Sequence, residues 1–148
     1  MSTQAKEKKI VLRGRGVIGG VAEGEALVSP RPLMGWGMVN EKLGFTTERG
    51  HPLFEVPFKG KVLVMPGMRG SGGFVQYGRT RDHGVHPAAF IYGKACSVMY
   101  LASMNAKVPT VTDLDQDPVA VIETGDWVRV DGDQGIVEVF KKQLPERP

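Results

Sequence analysis

The chain reads as one mixed α/β domain, with β-barrel-like outer strands around a small parallel β/α/β core. Three observations carry that reading. Short continuous apolar runs, "KVLVMP" and "PAAFIY", alternate with segments long enough for helices. Twenty glycines and ten prolines cut the chain into short elements. The closing segment "TGDWVRVDGDQGIVEVF" alternates on both sides of "DGDQG", a strong hairpin signal.

Taken in order, "KIVLRGRGVIGGVAEGEALVS" contains two strand-like runs around a glycine-rich bend. Residues 30–60 show poor periodicity and two proline-bounded turns, and a stretch of that length inside a compact domain is usually functional or partly structured. "KVLVMP" predicts a buried strand ended by Pro66 and Gly67. "SGGFVQYGRTRDHG" predicts a short helix with Ser71 as N-cap and Gly84 near its end. "PAAFIY" is a second buried strand, "KACSVMYLASMNA" a helix with Pro109 just beyond it, and "VPTVTD" a third strand. Strand, helix, strand, helix, strand predicts parallel strands with right-handed crossovers.

At 148 residues the chain is the size of one domain and folds without disulfide or metal support. Hydrophobic residues at 41% and charged residues at 24% are ordinary for a globular protein. The net charge of +3 is concentrated at the ends, at Lys6, Lys8, Lys9, Lys141, Lys142 and Arg147. This predicts basic tails over 1–9 and 141–148 around a domain spanning 10–140. No basic stripe interleaved with aromatics points to nucleic acid. No apolar run reaches membrane-spanning length and "MSTQAKEKK" lacks a signal-peptide core, so the expected location is the cytoplasm. The single cysteine, Cys96, excludes an internal disulfide and any cysteine-held cluster within this chain, and in "ACSVMYLASM" it reads as a core residue.

The chemistry concentrates in "VLVMPGMRGSGGFVQYG". Turns after parallel strands face the crevice where α/β proteins bind ligands. The free N–H groups around Gly70 to Gly73, with the forked cation of Arg69, suit a carboxylate or a phosphate. A Walker loop is excluded because no lysine precedes Ser71, and a nucleophile elbow because Arg69 stands where a glycine is needed. Ser71 is then either a helix cap or, if helix N–H groups, Arg69 and a metal in a dry site depress its pKa, a base.

The strings "GRGVIGGVAEGEALVS", "WG", "HPLF", "GKVLVMPGMRGSGG", "PAAFI" and "TGDWVRVDG" resemble, in that order, the aconitase X swivel domain, the small subunit of aconitase X-type dehydratases. The resemblance runs from about Gly14 to Val139 and is most specific at "GKVLVMPGMRGS". It implies a swivelling β/β/α fold and a large catalytic subunit as partner, in a heterodimer. No cofactor is expected on this chain; the partner's cysteines hold iron or an iron–sulfur cluster, which helps the hydroxyl leave as a Lewis acid. Family reactions are dehydrations of small hydroxy acids such as mevalonate 5-phosphate and cis-3-hydroxy-L-proline. Carried over by position, Ser71 is the catalytic base, and Arg69 with the amides of Gly70, Gly72 and Gly73 holds substrate oxygens. Gly72, Gly73 and Phe74 depart from the further serines or threonines usual after the motif's serine, and Asn40 stands where an aspartate is usual.

The resemblance also makes His51, in "GHPLF", a candidate for substrate or interface contact, against the plain reading of an exposed loop histidine. His83 and His86 lack helical metal spacing, and no metal site is predicted. His86 supports an alternative, a phosphohistidine swivel domain, although Pro87 replaces the expected alanine. A further alternative is a non-catalytic interaction subunit, with Trp36 and Met38 on a partner-facing loop. Trp127 reads as structural in its strand, and Arg79 and Arg81 as solvated charges.

Overall fold

A computed structural model describes residues 9–34, 38–69 and 74–142. Three strands open the fold: β1 (Lys9–Arg13), β2 (Arg15–Ile18) and β3 (Val21–Val28). One run more than the sequence predicts, they arise because Gly14 separates β1 from β2 before the glycine bend separates β2 from β3. Short pieces β4 (Leu33–Met34), β5 (Val39–Asn40) and β6 (Phe45–Thr46) punctuate the long connection. The core follows as β7 (Val62–Met65), β8 (Met68–Arg69), α1 (Phe74–Asp82), β9 (Ala89–Tyr92), α2 (Ser97–Ala106) and β10 (Thr110–Thr112). A single turn, α3 (Pro118–Val121), leads into the hairpin β11 (Trp127–Asp131) and β12 (Ile136–Phe140).

Eight strands form one sheet in the order β1-β12-β11-β3-β7-β9-β10-β2. Its two edge strands, β1 and β2, are joined by Gly14 alone, so the sheet must curl until its edges nearly meet. That is the barrel-like envelope the sequence implied. β3, β7, β9 and β10 are mutually parallel, and the remaining pairings are antiparallel.

The parallel strands are apolar throughout because both of their faces are buried. Val62, Val64, Ala89 and Ile91 point into the barrel with Leu12, Val128 and Val137. Leu63, Met65, Phe90 and Tyr92 point the other way, against Tyr77 of α1 and Met99, Ala102 and Ala106 of α2. Tyr77 meets Phe90 edge-on with centroids 5.7 Å apart, and Phe90 meets Tyr92 at 5.5 Å.

Three lysines near the ends of the chain, Lys9, Lys141 and Lys142, are held by the domain. Lys9 pairs with Phe140 in the sheet and its ammonium lies 2.8 Å from Glu138. Lys141 Nζ donates to Val121 O (2.9 Å) and to the buried Asp126 Oδ2 (2.6 Å), while Lys142 N donates to Asp126 Oδ1 at 2.9 Å. Burial alone would raise the Asp126 pKa, but these bonds, with the N–H of Glu123, hold it below the ordinary carboxylate value. Arg79 and Arg81 are also more than solvated charges: Arg79 reaches Glu41 at 3.3 Å, and Arg81 donates to Ala106 O (3.0 Å) at the carbonyl end of α2.

Barrel closure rests on backbone meeting backbone. A Cβ built on Gly132 in the hairpin would fall inside the carbonyl of Ile18, and one on Gly16 inside that of Gly132. The two glycine-rich segments of the sequence, far apart along the chain, are therefore one contact. Gly132→Ala is expected to lower stability by about 3 kcal/mol or more, or to prevent folding. Gly50→Ala, at φ +82 with nothing within 4 Å, is expected to cost about 1 kcal/mol. Equal midpoints for the two variants in chemical denaturation would contradict this assignment.

Candidate active site

β7 ends at Met65, and the ladder continues one step further as Lys94 N donates to Pro66 O at 3.0 Å. The chain then turns at Gly67 into β8, whose Met68 and Arg69 lie beside Leu33 and Met34 in a parallel pair. Arg69 therefore stands at the carboxyl edge of the parallel strands, where α/β sheets take ligands. Its backbone is fixed by Met34 and its guanidinium, 51% exposed, is ion-paired to Glu48. One terminal nitrogen is engaged by that carboxylate, which leaves other donors of the fork for an anion.

On the same edge a cleft of about 350 Å³ opens between Pro66, Gly93, Lys94, Gln116 and Asp117. Asp117 is committed to α3, accepting from Val119 N at 3.0 Å. Lys94 makes no ion pair among the described residues, so the edge offers two cations, Arg69 and Lys94. Gly70, Ser71, Gly72 and Gly73, which the sequence places next, lie outside the described residues, as does the cap predicted at Ser71; α1 is described from Phe74 onward. Trp36 lies outside them as well.

The structure corrects the plain reading of His51. It is 4% exposed, not a surface histidine. Its Nδ1 accepts from Leu53 N at 3.0 Å, which leaves Nε2 as the protonated nitrogen facing the buried Ser29 Oγ at 3.2 Å. Ser29 in turn donates to Arg31 O through its hydroxyl and to Val64 O through its backbone N–H, the latter at 2.7 Å. His51 thereby fastens the long loop to the end of β7. Its backbone N–H also holds the carbonyl of Glu48 at 3.2 Å, so the residue paired with Arg69 hangs from the His51 anchor.

Asn40 has a local role. Its side-chain oxygen accepts from Lys42 N (3.1 Å) and Leu43 N (3.0 Å), starting the turn that ends at Gly44, where φ is +75 and a Cβ would crowd Val85 O. A carboxylate oxygen would accept the same two bonds, so aspartate and asparagine are interchangeable for this turn.

The remaining candidates lie elsewhere. His86 precedes β9, at the amino ends of the parallel strands and on the opposite edge from Arg69. Burial first, and then the Arg81 charge, hold its pKa below the ordinary histidine value. Trp127 sits on the outer face of the barrel, 47% exposed, its Nε1 donating to Glu23 at 2.7 Å. Cys96 packs against the core and faces Met68 O at 3.5 Å. Among the described residues no three His, Cys, Asp or Glu side chains converge on a metal site. No described helix is long and apolar enough to cross a membrane.

The family model of the aconitase X swivel domain matches residues 11–139. The chain belongs to the aconitase X swivel domain family. The small subunit of phosphomevalonate dehydratase from Methanocella arvoryzae is 39% identical over 130 residues, covering 86% of this chain and 98% of that protein. Its counterpart from Thermococcus gammatolerans is 37% identical over 131 residues, covering 87% and 97%. The crystal structure of Thermococcus kodakaraensis aconitase X in its holo form superposes with a TM-score of 0.83 at 33% identity, covering 89% of this chain and 99% of that one. This swivel domain is accordingly a dehydratase small subunit of the aconitase X type.

Glu48 and Ser29 are the site residues that sequence reasoning missed. Neither belongs to a motif, and the one available signal was that "TTERGHPLF" places a lone acidic residue three positions before the histidine. If Asn40 serves the turn through its oxygen alone, Asn40→Asp is expected to match the wild type within about 0.5 kcal/mol. Asn40→Ala is expected to lose about 1 kcal/mol, measured by thermal unfolding.

Proposed function

We propose that this chain is the small subunit of a cytoplasmic two-subunit hydro-lyase that dehydrates phosphomevalonate. Its large-subunit partner carries the metal. The observation that carries the reading is the placement of Arg69, anchored by Glu48, at the carboxyl edge of β7 immediately before "GSGG". Such a substrate brings a carboxylate and a phosphate, and the edge presents two cations. Relatives at 39% and 37% identity are named for that reaction, which supports phosphomevalonate as the substrate.

One cysteine and no convergent ligand set among the described residues do not fit an iron or iron–sulfur centre on this chain, so the centre is assigned to the large subunit. What this chain does is bind, orient and take a proton. Arg69 and the amides of Gly70, Gly72 and Gly73 hold substrate oxygens. Ser71 removes the proton from the carbon beside the carboxylate. The electron pair of that C–H bond becomes the new C=C bond as hydroxide leaves the adjacent carbon. The hydroxide takes up one proton, matching the one Ser71 releases to return to its basic form, and the products are an unsaturated acid and water. A serine base needs its alkoxide stabilised, and Arg69 two residues away supplies fixed positive charge for that. His51 acts from behind, holding the loop that presents Glu48.

The test is co-expression with the large subunit and assay of phosphomevalonate dehydration. Ser71→Ala is expected to leave assembly intact and lower kcat by about a hundredfold or more. A complex with Ser71→Ala that turns over at the wild-type rate would overturn the role of the serine and leave the chain a binding subunit.

A further inference from the structure

Glu48 is built differently from the other acidic residues of the surface. One oxygen, Oε2, is bonded to Arg69. The other, Oε1, is buried and has no hydrogen-bond partner among the described residues. Its backbone is held on both sides, by Thr46 Oγ1 accepting from Glu48 N at 3.3 Å and by the N–H of His51 on its carbonyl. The carboxylate is therefore set in place before any ligand arrives.

The core near Glu48 also holds buried hydroxyls. The Tyr77 hydroxyl is likewise buried without a hydrogen-bond partner among the described residues, while the buried hydroxyls of Tyr92 and Ser103 face one another. Burial, and then the charge of Glu48, push the Tyr77 pKa far above its ordinary value. Burial, and then the neighbouring Tyr77, do the same to Tyr92. Packing alone would have favoured phenylalanines here, since an unmade hydrogen bond in the interior is costly. Hydroxyls kept in the protonated state can donate toward a carboxylate, directly or through ordered water.

We propose that Glu48 is a positioning residue. Its partly buried carboxylate fixes the Arg69 guanidinium in the orientation that receives the anionic group of the substrate. This rests on the reading of the β7–β8 edge as the substrate edge. Glu48 touches no substrate and acts entirely through Arg69. The clamp removes rotamer freedom from a long, half-exposed cation before binding, so its loss falls on substrate affinity more than on the chemical step.

The experiment uses the complex of the full chain with its large subunit, assayed with phosphomevalonate. Glu48→Gln is expected to raise KM about tenfold while kcat stays within about threefold of wild type. In an Arg69→Met background the same substitution is expected to add nothing, because its only route of action is gone. A purely structural role predicts additive losses in the double variant, and either additivity or an unchanged KM for Glu48→Gln would overturn the proposal. A readout without turnover separates this proposal from the functional reading. In the isolated full chain, an Arg69 side-chain N–H resonance, assigned by its loss in Arg69→Lys, is expected to be sharp in wild type and exchange-broadened in Glu48→Gln. Equal line widths overturn the clamp whatever the complex does. A clamp seen by resonance in a wild-type complex that cannot dehydrate phosphomevalonate overturns the assignment of the substrate.

Discussion

The two-sided burial of β7 and β9 is the constraint on which the rest of the molecule depends. Val62 and Val64 face the barrel while Leu63 and Met65 face the helices, and Ala89 to Tyr92 repeat the alternation next door. A slip of one residue would exchange every side chain between two differently shaped cores. Register is thereby fixed, and with it the point at which the chain leaves the sheet. Pro66 and Gly67 fall at the carboxyl edge because Met65 is the last residue that both cores can use. The turn at Gly67 and the start of β8 inherit their position from packing.

The long connection between β3 and β7 supplies what the strands cannot. It is tied to the sheet by the buried pair of Ser29 and His51 and shaped by the turns at Asn40 and Gly44, and it delivers Glu48 to Arg69. A surface ion pair alone contributes little to stability. This one is unusual in having a carboxylate that is only 17% exposed, with one oxygen buried and without a hydrogen-bond partner among the described residues. In the proposed function its value lies in orientation, preparing a cation at the edge that the large subunit would cover.

Much of this was legible in the sequence, for identifiable reasons. β7, β9, β10, α2 and the final hairpin announce themselves through periodicity and turn residues, and all five form as read. Arg69 was legible as a cation after a buried strand. Other features have no local signature. β2 leaves β1 after a single glycine because it pairs with β10, a partner far along the chain. The two-residue pieces β4, β5 and β6 are too short to show a period. His51 looks like any loop histidine until Ser29 and Leu53 close around it. Lys141 and Lys142 read as tail charges because nothing near them reveals the buried Asp126 that they satisfy. Long-range pairing decided each of these, and spacing along the chain does not encode it.

In the proposed function the Arg69 edge is half of an active site that a large subunit completes. The most direct measurement is a crystal structure of the two-subunit complex with phosphomevalonate bound. The account predicts the Arg69 guanidinium within hydrogen-bond distance, about 3 Å, of a substrate oxygen, with Ser71 Oγ facing the carbon beside the carboxylate. A substrate bound wholly within the large subunit, with the Arg69 edge turned to solvent, would contradict it.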